Sequence, residues 1–189
     1  MSTTIHLNLE SVNEQFIRDL KAQFGPAELE LRVGKQPQNW MTQQQFWEVI
    51  SRLDWSKAGD DDAVLEPAVA ALASMPLGNI HQFLDILSEK LWQLDTPAHA
   101  LASVGGDPEA YLSSDGFLYD RCCVVANGQE FFERVLTNPQ QFPVGLSFEA
   151  LLGLAAEAYR RKTGRDFEHI PKFDYETGGN TAAWNEKRA

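Results

Sequence analysis

Arg121 stands out first, because it is a fixed charge inside an almost wholly apolar run, Phe117-Leu118-Tyr119-Asp120-Arg121-Cys122-Cys123-Val124-Val125-Ala126. An unpaired buried guanidinium is costly, so such a run demands a partner for it. Asp85, Asp95 and Asp115 are the carboxylates expected to supply one. A ligand-facing arginine that grips a carboxylate or phosphate is the alternative. His81, Asp85 and Glu89 follow one another at i, i+4 and i+8, along one face of a helix. Imidazole and carboxylates on one stripe are transition-metal ligands. No HExxH and no second histidine at the needed spacing accompany them, so a wet or salt-bridged helix face is the expected reading. Asp54, Asp60, Asp61 and Asp62 form the densest acidic group. Their spacing is not that of a calcium loop. Asp60 to Asp62 stand just before a helix, where carboxylates cap free N–H groups and meet the favourable end of the dipole.

Cys122 and Cys123 are the whole thiol inventory. Adjacent cysteines cannot easily form an unstrained disulfide, and two thiols without a nearby histidine fall short of a zinc site. They read as small buried hydrophobes in a reducing compartment. No GxSxG elbow, GxGxxG fingerprint or Walker loop is present, so no cofactor is expected. Trp40, Trp47 and Trp55 fall within one short span. Such groups pack cores, and an exposed subset suits a protein-binding surface. The candidate binding residues are therefore Trp47, Trp55, Asp85, Asp115, Asp120 and Arg121, with no metal ligand and no catalytic residue among them.

These side chains need elements to position them. From Trp40 onward apolar residues recur at helical spacing. Phe46, Trp47, Val49, Ile50 and Leu53 share one face. Val64, Leu65, Val69 and Leu72 mark the next helix, with Pro67 expected near its first turn. Ile80 to Leu94 reads as a longer helix, and Pro97 with Gly105-Gly106 brackets a short one. Phe117 to Ala126 reads as a central buried helix, and Leu146 to Tyr159 as the last amphipathic one, closed by Thr163-Gly164. Before Trp40 the pattern differs. Ile5, Leu7 and Leu9 alternate with polar residues, Val12 to Phe24 is helical with Ser11 and Glu14 as a capping box, and Leu29, Leu31 and Val33 alternate again. Two strands and one helix leave sheet edges open, so this unit is expected to need a partner or a second copy.

The chain has 189 residues and a net charge of −11. A chain this long buries roughly 70% of its unfolded surface and needs no staple. The acidic balance argues against nucleic acid and against an anionic membrane surface. No apolar run reaches the ~18 residues of a membrane span. The start, MSTTIHLNLES, does not look like a signal peptide, so a cytoplasmic location is expected. Residues 35–164 hold 17 acidic against nine basic residues, so electrostatic steering belongs there.

FWEVISRLDW, GDDDAVLEPAVAAL, FLDILSEKLWQLD, SSDGFLYDRCCVVANGQEFFERVL and AYRRKTG with the later YETG resemble a bacterial family catalogued as domain of unknown function 4240, over about residues 45–180. That resemblance implies a mainly helical bacterial domain and carries no established activity. Residues 3–33 look like a strand–helix–strand element found at the start of some antitoxin-like proteins.

The expected class is α+β: a strand–helix–strand association unit (1–34), a linker (35–44), a helical domain (45–164) and a C-terminal extension (165–189). The expected function is a non-catalytic protein-binding protein, antitoxin-like, immunity-like or a regulatory subunit. Its partner would be another protein, a basic one suiting the acidic middle. A homo-oligomer through residues 1–34 is expected as well. The alternative is a metal-dependent hydrolase using Asp85, Glu89, Asp115 or Asp120. The two part on whether these carboxylates converge with Arg121 in one pocket.

Overall fold

The computed structural model describes residues 17–18, 21–22, 24–25 and 40–185. The chain divides into two compact units, Met1–Pro37 and Gln38–Ala189. In the first, the described residues 17–18, 21–22 and 24 are helical, and the Gly25 N–H closes the turn on the Lys21 carbonyl at 3.1 Å. The two expected strands, and with them the association unit and its antitoxin-like reading, lie outside the described residues.

All regular structure among the described residues is helical, which corrects the α+β expectation. The second unit holds α1 (Gln43–Ile50), α2 (Asp61–Ser74), α3 (Leu77–Leu94), α4 (Pro97–Ser103), α5 (Ser114–Ala126), α6 (Gln129–Thr137), α7 (Leu154–Thr163) and α8 (Thr181–Asn185). Short 3₁₀ turns at Trp55–Lys57, Pro139–Gln141 and Glu149–Gly153 join them. The physical reason is visible in the pattern: from Met41 on, buried residues recur every three or four positions, which a strand cannot present to one face.

The helix starts are chemically specified. Thr42 and Gln45 form a reciprocal capping box at the start of α1. Asp60 accepts from the Ala63 N–H at 3.1 Å and caps α2, whose first turn also carries Asp61 and Asp62. Asp54 holds the Ser56 N–H at 3.1 Å and so starts the first 3₁₀ turn. The four aspartates are thus spent on helix ends. Because α2 begins at Asp61, Pro67 falls in its second turn, on the exposed side. The last helix begins later than the sequence suggests: residues 146–148 are not helical, a 3₁₀ turn intervenes, and Gly164 ends α7 at φ 69.

The core lies between α2, α3, α5 and α7, with α2 packed along α7 and α3 touching both α5 and α7. Phe46, Phe83, Phe117, Leu72, Leu91 and Leu154 are almost completely buried there. Among the described residues, no helix is long and apolar enough to cross a membrane.

Candidate functional site

The side chains that do chemistry meet where the chain after α7 returns along α3. Residues 165–180 form an irregular strap with a turn at Glu176–Gly179, and it leads into α8. It follows one stripe of α3 and its C-cap: His81, Asp85, Ser88, Trp92 and Asp95, spaced 4, 3, 4 and 3 residues apart, the spacing of one helix face. His81 packs against the rings of Tyr159, Phe167 and His169, with the His169 ring 5.0 Å away. Asp85 accepts from His169 Nε2 at 2.8 Å and from the Lys172 N–H at 3.0 Å. Ser88 accepts from the Phe173 N–H at 3.4 Å, and the Phe173 ring lies 5.3 Å from Trp92. The His81–Asp85–Glu89 face, read from the sequence as a wet or salt-bridged stripe, is therefore covered in its upper part by the strap.

Two buried opposite charges hold the strap's end. Arg121 has no solvent exposure. Its own domain orients it: Nη1 donates to the Leu91 carbonyl at 2.9 Å, Nε to the Phe117 carbonyl at 3.4 Å, and Cζ lies 4.7 Å from the centre of the Phe117 ring. Toward the strap, Nη1 donates to the Tyr175 carbonyl at 3.0 Å and Nη2 to Thr177 Oγ1 at 3.0 Å. The Thr177 hydroxyl passes its proton-side bond to the Ser114 carbonyl at 2.7 Å. Asp95, also fully buried, accepts from the N–H groups of Gly178 (3.0 Å) and Asn180 (2.9 Å) and from Trp184 Nε1 (3.0 Å). Burial pulls the Arg121 pKa down from its ordinary value, and the nearby Asp95 charge opposes that. The sequence expectation of a buried Arg121 holds. Its hydrogen-bond partners are carbonyls and a hydroxyl rather than the expected carboxylate, and Asp95 acts on it only as a nearby opposite charge.

The remaining candidates are scattered. Trp47 is core, edge-on to Phe46 at 4.9 Å and 5.5 Å from Phe132. Trp55 is 43% exposed and rests on Phe148, 5.0 Å away. Asp115 is exposed in the first turn of α5. Asp120 is half-buried, and burial pushes its carboxyl up to about 6. Asp85, Asp115 and Asp120 do not converge with Arg121, and among the described residues no group of three or more His, Cys, Asp or Glu side chains could hold a metal ion. Cys122 and Cys123 are free and buried, and burial pushes both thiols up. His99 is buried between Thr96 Oγ1 (2.8 Å) and the Val135 carbonyl (3.1 Å), and burial lowers its pKa.

Asp95, Thr177, Gly178, Asn180 and Trp184 escaped the sequence reading as a group. Asp95 was named as one possible partner for Arg121, but nothing in the spacing ties it to residues 83 to 89 positions later. The one available signal was the polar cluster Thr177-Gly178-Gly179-Asn180, which suits a tight, backbone-bonded turn.

Beside the strap's end a cavity of about 570 Å³ opens to solvent. Pro97 and Leu101 of α4, Val104, Asp107 and Leu112 of the following loop, and Trp184 of α8 line it. Asp95 thus fixes, through the indole N–H, one wall of an apolar groove. In the same loop Glu109 is exposed and Tyr111 is 89% exposed.

A family model described as "Protein of unknown function (DUF4240)" matches residues 41–161, a span that contains both Asp95 and Arg121. No curated protein and no solved structure matches the chain.

Proposed function

This chain belongs to the DUF4240 family of proteins of unknown function, and from that premise we propose that it is a non-catalytic protein-binding protein whose docking site is the groove beside Trp184. The groove carries the reading. It is apolar, has the size of a site for a few anchoring side chains, and is walled by an indole that a buried carboxylate holds in place. Asp107 lines it and Glu109 stands in the same exposed loop, while among the described residues no lysine or arginine lines it. The partner that suits this surface is another protein presenting apolar anchors flanked by basic residues. Its apolar residues would fill the space between Leu101, Leu112 and Trp184, and its cations would meet the acidic loop.

A photo-crosslinking amino acid placed at Tyr111 in the full chain tests this, with position Gln44 on α1 as the control. The expected result is one discrete protein adduct from position 111 and not from 44. The purified partner should then bind the chain with at least tenfold lower affinity when Leu112 is changed to Glu. Adducts identical from both positions, or affinity unchanged by Leu112→Glu, would refute the docking site.

A further inference from the structure

The contacts at the strap's end have the form of peptide recognition. Arg121 is preorganised without the strap, through the Leu91 and Phe117 carbonyls and the Phe117 ring. Its remaining donors then take a main-chain carbonyl, that of Tyr175, and one hydroxyl, that of Thr177. Asp95 takes two main-chain N–H groups and one indole N–H, all from residues 178–184. A cation facing carbonyls and an anion facing amides, both buried, hold main-chain groups before and after the turn that the Gly179 N–H closes on the Glu176 carbonyl at 2.9 Å. The Trp92 carbonyl adds a third fixed point by accepting from Asn180 Nδ2 at 3.1 Å.

Side chains supply the selection. Thr177 bridges Arg121 to the Ser114 carbonyl. Gly178 sits at φ 92, which disfavours any other residue. A Cβ at Gly179 would collide with the Asp174 carbonyl oxygen and stand 3.0 Å from that of Glu176. Trp184 reaches Asp95 from one turn further on. The pattern read is Thr-Gly-Gly-Asn-x-x-x-Trp. Both charges lie within the family-matched residues, and the segment that satisfies them lies beyond residue 161.

We infer that Asp95 and Arg121 form a peptide-binding site, and that residues 174–184 are its resident ligand rather than an integral part of the helical fold. A segment of another polypeptide that carries the same pattern and adopts the same turn occupies the site whenever the strap is away. In the intact chain the tethered strap is present at an effective concentration on the order of millimolar, so it excludes a dilute competitor. This inference rests on the strap's contacts with Asp95 and Arg121; it shares Trp184 with the groove, which loses that wall when the strap is displaced.

The test uses the full chain with a protease cleavage site inserted between Gly164 and Arg165. The probe is a synthetic peptide of residues 169–185 with fluorescein on its N-terminus, followed by anisotropy. After cleavage the chain is expected to keep its helical circular dichroism, to release the tail on dilution, and to bind the probe saturably. Probe peptides carrying Thr177→Val or Gly179→Ala should bind at least about tenfold more weakly, because each disrupts a contact to a buried charge or its backbone geometry. The uncleaved chain should take up no probe at micromolar concentration. Loss of the helical signal on cleavage, a tail that cannot be diluted away, or equal binding of the Thr177→Val and scrambled peptides would each overturn the inference.

Discussion

Replacing Arg121 with Met removes a charge that three separate parts of the chain use. The guanidinium makes three contacts of 2.9–3.0 Å, to the carbonyls of Leu91 and Tyr175 and the hydroxyl of Thr177. Hydrogen bonds to a charged group contribute about 1.5–3 kcal/mol each when deleted singly. They are not additive, and Met refills part of the vacated volume. Asp95 is meanwhile left buried without its counter-charge, although its N–H partners remain. Leaving those buried acceptors without their charged donor, with Asp95 also losing a nearby opposite charge, costs about 3–5 kcal/mol in all, and that is the expected loss. It is a large share of the roughly 5–15 kcal/mol that holds a domain folded. Guanidinium unfolding followed by far-ultraviolet circular dichroism measures it, for Arg121→Met, Asp95→Asn and the double variant. The double variant should lose about 1–2 kcal/mol less than the sum of the two, since the second change no longer strands a charge. Arg121→Lys should recover only a minor part, because one ammonium cannot reproduce a planar fork aimed at three oxygens. A loss below about 1 kcal/mol for Arg121→Met, or strict additivity in the cycle, would refute the argument that the two charges hold the strap as a unit.

Asp120 provides a pH test. Its carboxyl holds its proton up to about 6 in the folded state, against about 4 when unfolded. The folded state therefore binds more protons between those values, and stability falls as pH rises through that window. Asp120→Asn should stabilise the protein by about 1 kcal/mol above pH 6, after discounting roughly half the shift for remaining water contact, and by nothing below about pH 4. Urea unfolding at both pH values checks it; an equal effect at both would remove burial as the cause. Arg161 pairs with Glu66 through two contacts of 2.8 and 2.7 Å, yet both side chains stand largely in water. Arg161→Ala should leave the urea midpoint almost unchanged, in contrast to Arg121, and a drop comparable to that of Arg121→Met would contradict the dominance of burial. Cys122 and Cys123 should resist iodoacetamide in the native protein at pH 8 and both react after denaturation, read by intact mass.

The helical domain was legible because its signals are local. The three- and four-residue recurrence from Phe46 to Leu53 and from Ile80 to Leu94, and the buried run around Arg121, each report one helix face. The capping role of Asp60 follows from its place before an apolar run, and the structure bears it out. The α+β class went wrong because it rested on alternation before Trp40, in residues largely outside the described ones, while everything regular that is described is helical.

The apolar run around Arg121 was enough to expect its burial beside a carboxylate, with a ligand-facing arginine as the alternative; the burial is borne out, and the partners are carbonyls and a hydroxyl instead. The spacing of His81, Asp85 and Glu89 likewise placed polar groups along one face of α3. Only the tertiary structure decided what lies on that stripe. The strap's contacts join residues 54 to 89 positions apart, and its irregular backbone has no period of its own to announce them. A helix writes its contacts into spacings of three and four. A strap held by main-chain carbonyls and N–H groups does not, because every residue type carries those groups, and only the buried charges that meet them tell where it binds.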